Sequence, residues 1–159
     1  MSAVNIHSDD ELRELYRELI LDHARNPRHF RKLEDATHSA EGINPLCGDK
    51  LKLYLRLDAG QRIEDAAFEG SGCAISVASA SLLTDTVIGL DVPGAMKYFT
   101  AITRRLTDGE STGEEGLDLD KLLALEGVRD FPSRIKCATL AWHALKSALL
   151  SHTSPVSTE

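Results

Sequence analysis

Hydrophobic positions along the chain recur first with a helical period, then with a strand period, then with a helical period again. Leu12, Leu15, Tyr16, Leu19, Ile20 and His23 return every three or four residues, the spacing of one helix face. Ser8 or Asp9 can cap that helix, Glu11 and Glu14 suit its positive end, and Pro27 stops it. Ala36 to Glu41 reads as a first strand. In KLKLYLRLD, Leu51, Leu53, Leu55 and Leu57 alternate with Lys50, Lys52, Tyr54 and Arg56, a period of two with one buried face. Ala59-Gly60 is a turn, and Ile63 to Glu69 reads as a third strand, which gives an antiparallel meander.

Helical patterns follow. CAISVASASLLTDTVIGL is rich in small residues and ends at Gly89. Gly94 to Leu106 follows Pro93, placed where a helix start tolerates proline. Leu117 to Leu125 predicts a short helix, Arg129 to Ser133 a connector, and Ile135 to Leu150 the final helix. Strands first and helices afterwards define an α+β class, a three-stranded antiparallel sheet covered by helices. Residues 1–150 form one domain in this reading, and 151–159 a disordered tail.

Composition narrows the function. The net charge of −7, with 25 acidic against 18 basic residues, argues against nucleic acid as the main partner, since phosphate binding needs a basic patch. No apolar run approaches the ~20 residues that cross a bilayer. The N-terminus lacks a basic region followed by an apolar stretch, so a cytoplasmic location is expected. The six histidines form no H-E-x-x-H or similar pair, which disfavours a zinc hydrolase. His23 and His29 read as surface histidines, Trp142 as core, and the acidic stretch Glu110 to Asp120 as solvated surface.

Three cysteines, an odd number, do not make a disulfide framework. Cys47 lies in N-P-L-C-G-D, two residues before Asp49; in extended chain the two side chains share a side. They can converge on one metal, or Asp49 can serve a turn by bonding backbone amides. Cys73 follows G-S-G at a helix start, where the dipole favours a thiolate. Cys137 follows Arg134 and Lys136 near the start of the last helix, where cations do the same. A shared metal site and three separate core cysteines both fit these contexts.

The segments 15–30 (LYRELILDHARNPRHF), 42–49 (GINPLCGD), 68–81 (FEGSGCAISVASAS) and 134–142 (RIKCATLAW) resemble the U-type scaffold family of iron–sulfur cluster assembly, which comprises IscU-like and SufU-like members. The likeness runs from Leu12 to Leu149. Lys136 stands where IscU-type members carry a histidine, and an insertion of roughly Gly109 to Asp130 separates the second and third cysteines. Both features place the chain nearer SufU. Phe131-Pro132-Ser133-Arg134-Ile135-Lys136 replaces the Leu-Pro-Pro-Val-Lys segment that a dedicated chaperone reads in IscU-type members.

The resemblance implies that Cys47, Asp49, Cys73 and Cys137 bind Zn²⁺, with Arg134 supporting the site or docking. It implies that Cys47 accepts persulfide sulfur from a SufS-type cysteine desulfurase and passes it to a downstream cluster scaffold or apo-protein. The protein would then be a sulfurtransferase-like co-substrate rather than a stand-alone enzyme. The alternative is a transient [2Fe–2S] scaffold of IscU type. A structural-zinc interaction domain fits less well, because such a site favours a fourth Cys or His over Asp49.

Overall fold

A computed structural model of the chain describes residues 2–109, 114, 116–150 and 156–158, with side chains from Arg13 onward except that of Val156. The element order is α1 (Ser2–Arg25), β1 (His38–Asn44), β2 (Asp49–Leu57), β3 (Ile63–Ser71), α2 (Ala74–Val87), α3 (Val92–Thr107), a 3-10 helix (Lys121–Val128), α4 (Pro132–Leu149) and β4 (Val156–Ser157). Helix α1 begins upstream of the expected cap at Ser8 or Asp9 and stops before Pro27. Helix α4 begins at Pro132, inside the stretch read as a connector; proline suits the first turn, whose N–H groups have no helical partner.

Strands β1, β2 and β3 form the expected antiparallel meander. The sheet order is β3-β2-β1-β4, with β4 adding a short parallel pairing of Val156 and Ser157 to Gly42 and Ile43. Part of the stretch read as a disordered tail is therefore a strand, while 151–155 and 159 lie outside the described residues. Its backbone groups bond to an edge that β1 otherwise leaves open, a gain that side-chain polarity does not announce.

The alternation of β2 sets the core. Leu51, Leu53, Leu55 and Leu57 are buried, and register places Ala40 and Phe68 beside Leu53, and Ala66 beside Leu55. Helix α4 lies on this face so closely that a Cβ on Gly42 would meet Leu140 Cδ1 at 3.0 Å. Trp142, fully buried in α4, donates its indole N–H to Ser79 Oγ at 3.1 Å, while Ser79 donates to the Ala138 carbonyl. The small residues of α2 thus let it approach α4 with the polar groups of this contact bonded to one another.

Three readings change in the tertiary structure. Tyr54, on the polar face of β2, is buried under Leu33 and beside Ala67, because the chain after α1 folds back along β3. His23 is buried rather than exposed, with Nδ1 2.7 Å from Ser81 Oγ. Glu114, in the stretch read as solvated surface, is paired with Arg105, which also bonds Glu126. Residues 110–113 and 115 of that stretch lie outside the described residues.

Candidate metal centre

The site is assembled where the first hairpin, the start of α2 and the start of α4 meet. Asn44 and Asp49 face each other in the β1–β2 register, so Pro45 to Gly48 form a four-residue hairpin loop. The Cys47 amide donates to the Asn44 carbonyl at 3.2 Å and closes the turn. Gly48 adopts φ +73°, and a Cβ there would touch nothing. Its glycine is thus demanded by the left-handed backbone rather than by space. The loop exposes Cys47 while Asp49, two residues on, is 1% exposed.

Asp49 Oδ1 accepts the backbone N–H of Cys73 at 2.8 Å, tying the hairpin to the start of α2. Its other oxygen, Oδ2, is buried with no hydrogen-bond partner. Gly72 makes this close approach possible, because a Cβ there would lie 2.7 Å from Asp49 Oδ1 and 2.3 Å from Ser76 Oγ. Cys73 is the N-cap residue of α2 in extended conformation, half-buried, and its side chain makes no cap bond.

Cys137 is fully buried in α4. Its Sγ lies 3.5 Å from Cys47 Sγ and 3.5 Å from the Ser133 carbonyl, and Asn44 Nδ2 points to it at 3.7 Å. The expectation that a helix terminus and nearby cations would lower its pKa does not hold for the protein alone. Burial first, then the closeness of Asp49, Cys47 and Cys73, pushes the thiol well above its ordinary range. Because α4 starts at Pro132, Cys137 sits beyond the first turn, where the dipole effect fades. Arg134, exposed one turn earlier, lies near the group, and Cys73 first, then Cys137, raise the pKa of its guanidinium above the ordinary value.

Donor atoms of Cys47, Asp49 and Cys137 lie within 4.8 Å of one another, the group among the described residues that could hold a metal ion. Cys73 stands beside this trio rather than in it, through its amide on Asp49 and its thiol on Cys137. Thiolate and carboxylate donors on one tetrahedral zinc stand about 3.5–3.8 Å apart, given Zn–S near ~2.3 Å and Zn–O near ~2.0–2.2 Å. The Cys47 and Cys137 sulfurs, 3.5 Å apart, already stand at such a separation, and no donor pair of the trio exceeds 4.8 Å. The donor chemistry also fits. A buried carboxylate oxygen without a partner is costly, and thiols crowded together resist ionisation; a divalent cation reverses both effects.

Asn44 escaped the sequence reading, although it is fully buried and meets Cys137. Its signal was the hairpin register that sets it opposite Asp49, which depends on knowing where β1 ends. Two other histidines have partners of their own: His29 bonds Thr84, and His143 packs edge-on against Phe99.

This geometry defines a thiol-rich metal centre carried on a hairpin and two helices. The NifU-like N-terminal domain matches residues 15–157, and the chain belongs to that family, which includes the IscU and SufU proteins. It is 43% identical over 135 residues to the zinc-dependent sulfurtransferase SufU of Bacillus subtilis, covering 85% of this chain and 89% of that protein. It is 40% identical over 139 residues to the iron–sulfur cluster assembly scaffold protein IscU of Streptococcus pyogenes, covering 87% and 85% respectively. Among solved structures, the SUF-system protein FiSufU of Fervidobacterium islandicum superimposes with a TM-score of 0.72 at 32% identity, over 83% of this chain and 94% of that one.

Proposed function

We propose that this protein serves iron–sulfur cluster assembly by accepting sulfur on Cys47 from a SufS-type cysteine desulfurase. Cys47, Asp49, Cys73 and Cys137 would hold one Zn²⁺. The observation that carries the reading is the asymmetry of the donors: Cys47 is exposed on a hairpin loop, whereas Asp49 and Cys137 are buried within reach of it. A thiol that must meet a partner's active site has to be the exposed one.

Zinc, when bound, supplies the electrostatic field that keeps the surrounding thiols deprotonated at neutral pH. The chain's own residues then divide the work. Cys47 Sγ attacks the outer sulfur of the desulfurase's cysteine persulfide; the S–S bond breaks and the enzyme's thiolate leaves. Cys47 carries away one sulfur atom as its own persulfide. Asp49 and Cys137 stay in place because their frames are packed, and Gly48 lets the Cys47 loop move. Arg134 supports the open site by its attraction to Cys73 and Cys137. A thiolate of a downstream scaffold or apo-protein then attacks the outer sulfur of the Cys47 persulfide, the S–S bond breaks, and Cys47 leaves as its thiolate.

A second reading, a transient [2Fe–2S] scaffold, is favoured by the single carboxylate among thiol donors, since oxygen is the weaker partner for iron in a sulfur set and eases release. Metal analysis with a visible spectrum of anaerobically purified protein separates the two. Colourless protein with one zinc supports sulfur acceptance, and brown protein with thiolate–iron bands supports the scaffold. The test of Cys47 is desulfurase turnover with Cys47→Ser, Cys73→Ser and Cys137→Ser, paired with mass spectrometry. Wild type should gain about 32 Da, one sulfur, on the Cys47 peptide, and Cys47→Ser should abolish stimulation. Full stimulation by Cys47→Ser, or sulfur found only on Cys73 or Cys137, overturns the assignment.

A further inference from the structure

The last described residues of the chain touch both frames of the metal centre at once. Strand β4 pairs with Gly42 and Ile43 on the edge of β1 away from β2. Thr158 then donates its backbone N–H to the Ile43 carbonyl at 3.1 Å, and its hydroxyl to the Lys136 carbonyl at 3.2 Å. Ile43 directly precedes Asn44, whose carbonyl anchors the Cys47 amide and whose side chain meets Cys137. Lys136 directly precedes Cys137. One residue is therefore bonded to the strand that delivers Cys47 and to the helical turn that delivers Cys137.

The packing around this point makes those bonds matter. A solvent-open groove of about 390 Å³ runs between Ile135, Lys136, Thr139 and His143 of α4 and the residues Ser157 and Thr158. Farther along, α4 is packed on β1 at Gly42 and Leu140, so the groove leaves the turn that carries Lys136 and Cys137 as the part of α4 whose spacing from β1 the Thr158 bridge helps to set. The parallel pairing itself is short, so it can be broken without unravelling the meander.

We propose that Thr158, held in place by β4, is a positioning residue of the metal centre: it fixes the spacing between the Cys47 loop and the Cys137 turn. This rests on the reading of Cys47 and Cys137 as ligands. With the bridge made, the two thiols stay at bonding distance of one ion. With the bridge released, the loop and the turn separate and the metal is held less firmly.

The test compares the full chain, a chain ending at Pro155, Thr158→Val and Thr158→Ser. Thr158→Val keeps the backbone bond to Ile43 and loses the hydroxyl bond to Lys136; Thr158→Ser keeps both. Two rates are measured: transfer of zinc to an excess of a chromophoric chelator, and alkylation of Cys137 by iodoacetamide in zinc-free protein, read by peptide mass spectrometry. Thr158→Val should speed zinc release about fivefold, the factor that one lost net hydrogen bond allows. The truncated chain should exceed it, Thr158→Ser should match the full chain, and Cys137 labelling should follow the same order. Exchange of the Trp142 indole proton, bonded to Ser79 elsewhere on α4, should stay unchanged. Equal rates in the truncated and full chains overturn the proposal, as does a parallel rise in Trp142 exchange, which would mark general loosening. A full chain that holds no zinc defeats the proposed function, and Cys137 labelling alone then decides the role of Thr158.

Discussion

Replacing Gly72 by alanine should damage the metal centre more than the fold. The added Cβ would lie 2.7 Å from Asp49 Oδ1 and 2.3 Å from Ser76 Oγ, against an ordinary contact of 3.4 Å or more. Ser76 Oγ belongs to a short side chain bonded to the Cys73 carbonyl at 3.1 Å, and it can rotate away at the expense of that bond. Asp49 has no such freedom: it is buried, begins β2, and Oδ1 already accepts the Cys73 amide at 2.8 Å. The carboxylate must therefore move by several tenths of an ångström, and the amide bond that ties the hairpin to α2 stretches. Overpacking of this kind costs about 1–3 kcal/mol, which at this length lowers the melting temperature by about 2–4 °C per kcal/mol. Displacing a group that orients metal ligands typically lowers affinity by about 10–100-fold. The assay is zinc competition with a chromophoric chelator beside urea denaturation of the zinc-free protein. Adding Ser76→Ala removes one of the two clashes, so the double variant should regain stability without regaining zinc affinity. Wild-type affinity in Gly72→Ala, or affinity that returns with Ser76→Ala, would refute the argument that the carboxylate's placement depends on this glycine.

Removing zinc, with its loss verified, should lower the melting temperature without unfolding the protein, because the leucine face of β2 supplies a core of its own. Asp49→Ala should keep the fold and alter the rate of sulfur or cluster release; wild-type release and affinity would reduce the carboxylate to a turn residue. Trp142→Ala should cost about 3–5 kcal/mol by leaving a cavity and removing the donor to Ser79 Oγ, and a loss under about 1 kcal/mol in urea denaturation would count against its place in the core. Burial holds His23 and His143 below the ordinary imidazole value of 6.5. The unfolded chain then binds protons more readily, so the stability these neutral rings carry is present above about pH 6.5 and is lost as pH falls from there through their folded values. The urea midpoint should drop between about pH 7.5 and about pH 5.5, and less steeply in His23→Gln; equal slopes would remove His23 from the account.

Period and punctuation were enough to read the meander, the leucine face of β2 and most helices, because each reports a local preference. Leu51 to Leu57 alternate because a strand offers one face to the core, and Pro27 and Pro93 mark helix limits because proline lacks an amide donor. The candidate ligands Cys47, Asp49, Cys73 and Cys137 were proposed from a pattern of motifs spread along most of the chain rather than from any one of them, and three of them, Cys47, Asp49 and Cys137, come together in the fold. Tertiary structure alone decided the environment of each. It buried Cys137 and Asp49, left Cys47 exposed, and set Cys73 beside the trio. It also set Asn44 opposite Asp49, put His23 against Ser81, drew Tyr54 under Leu33, and carried Val156 and Ser157 onto β1. The physical reason is common to all of these. Burial and hydrogen bonding between distant segments depend on which surfaces meet, and no residue's local propensity encodes the partner it will meet.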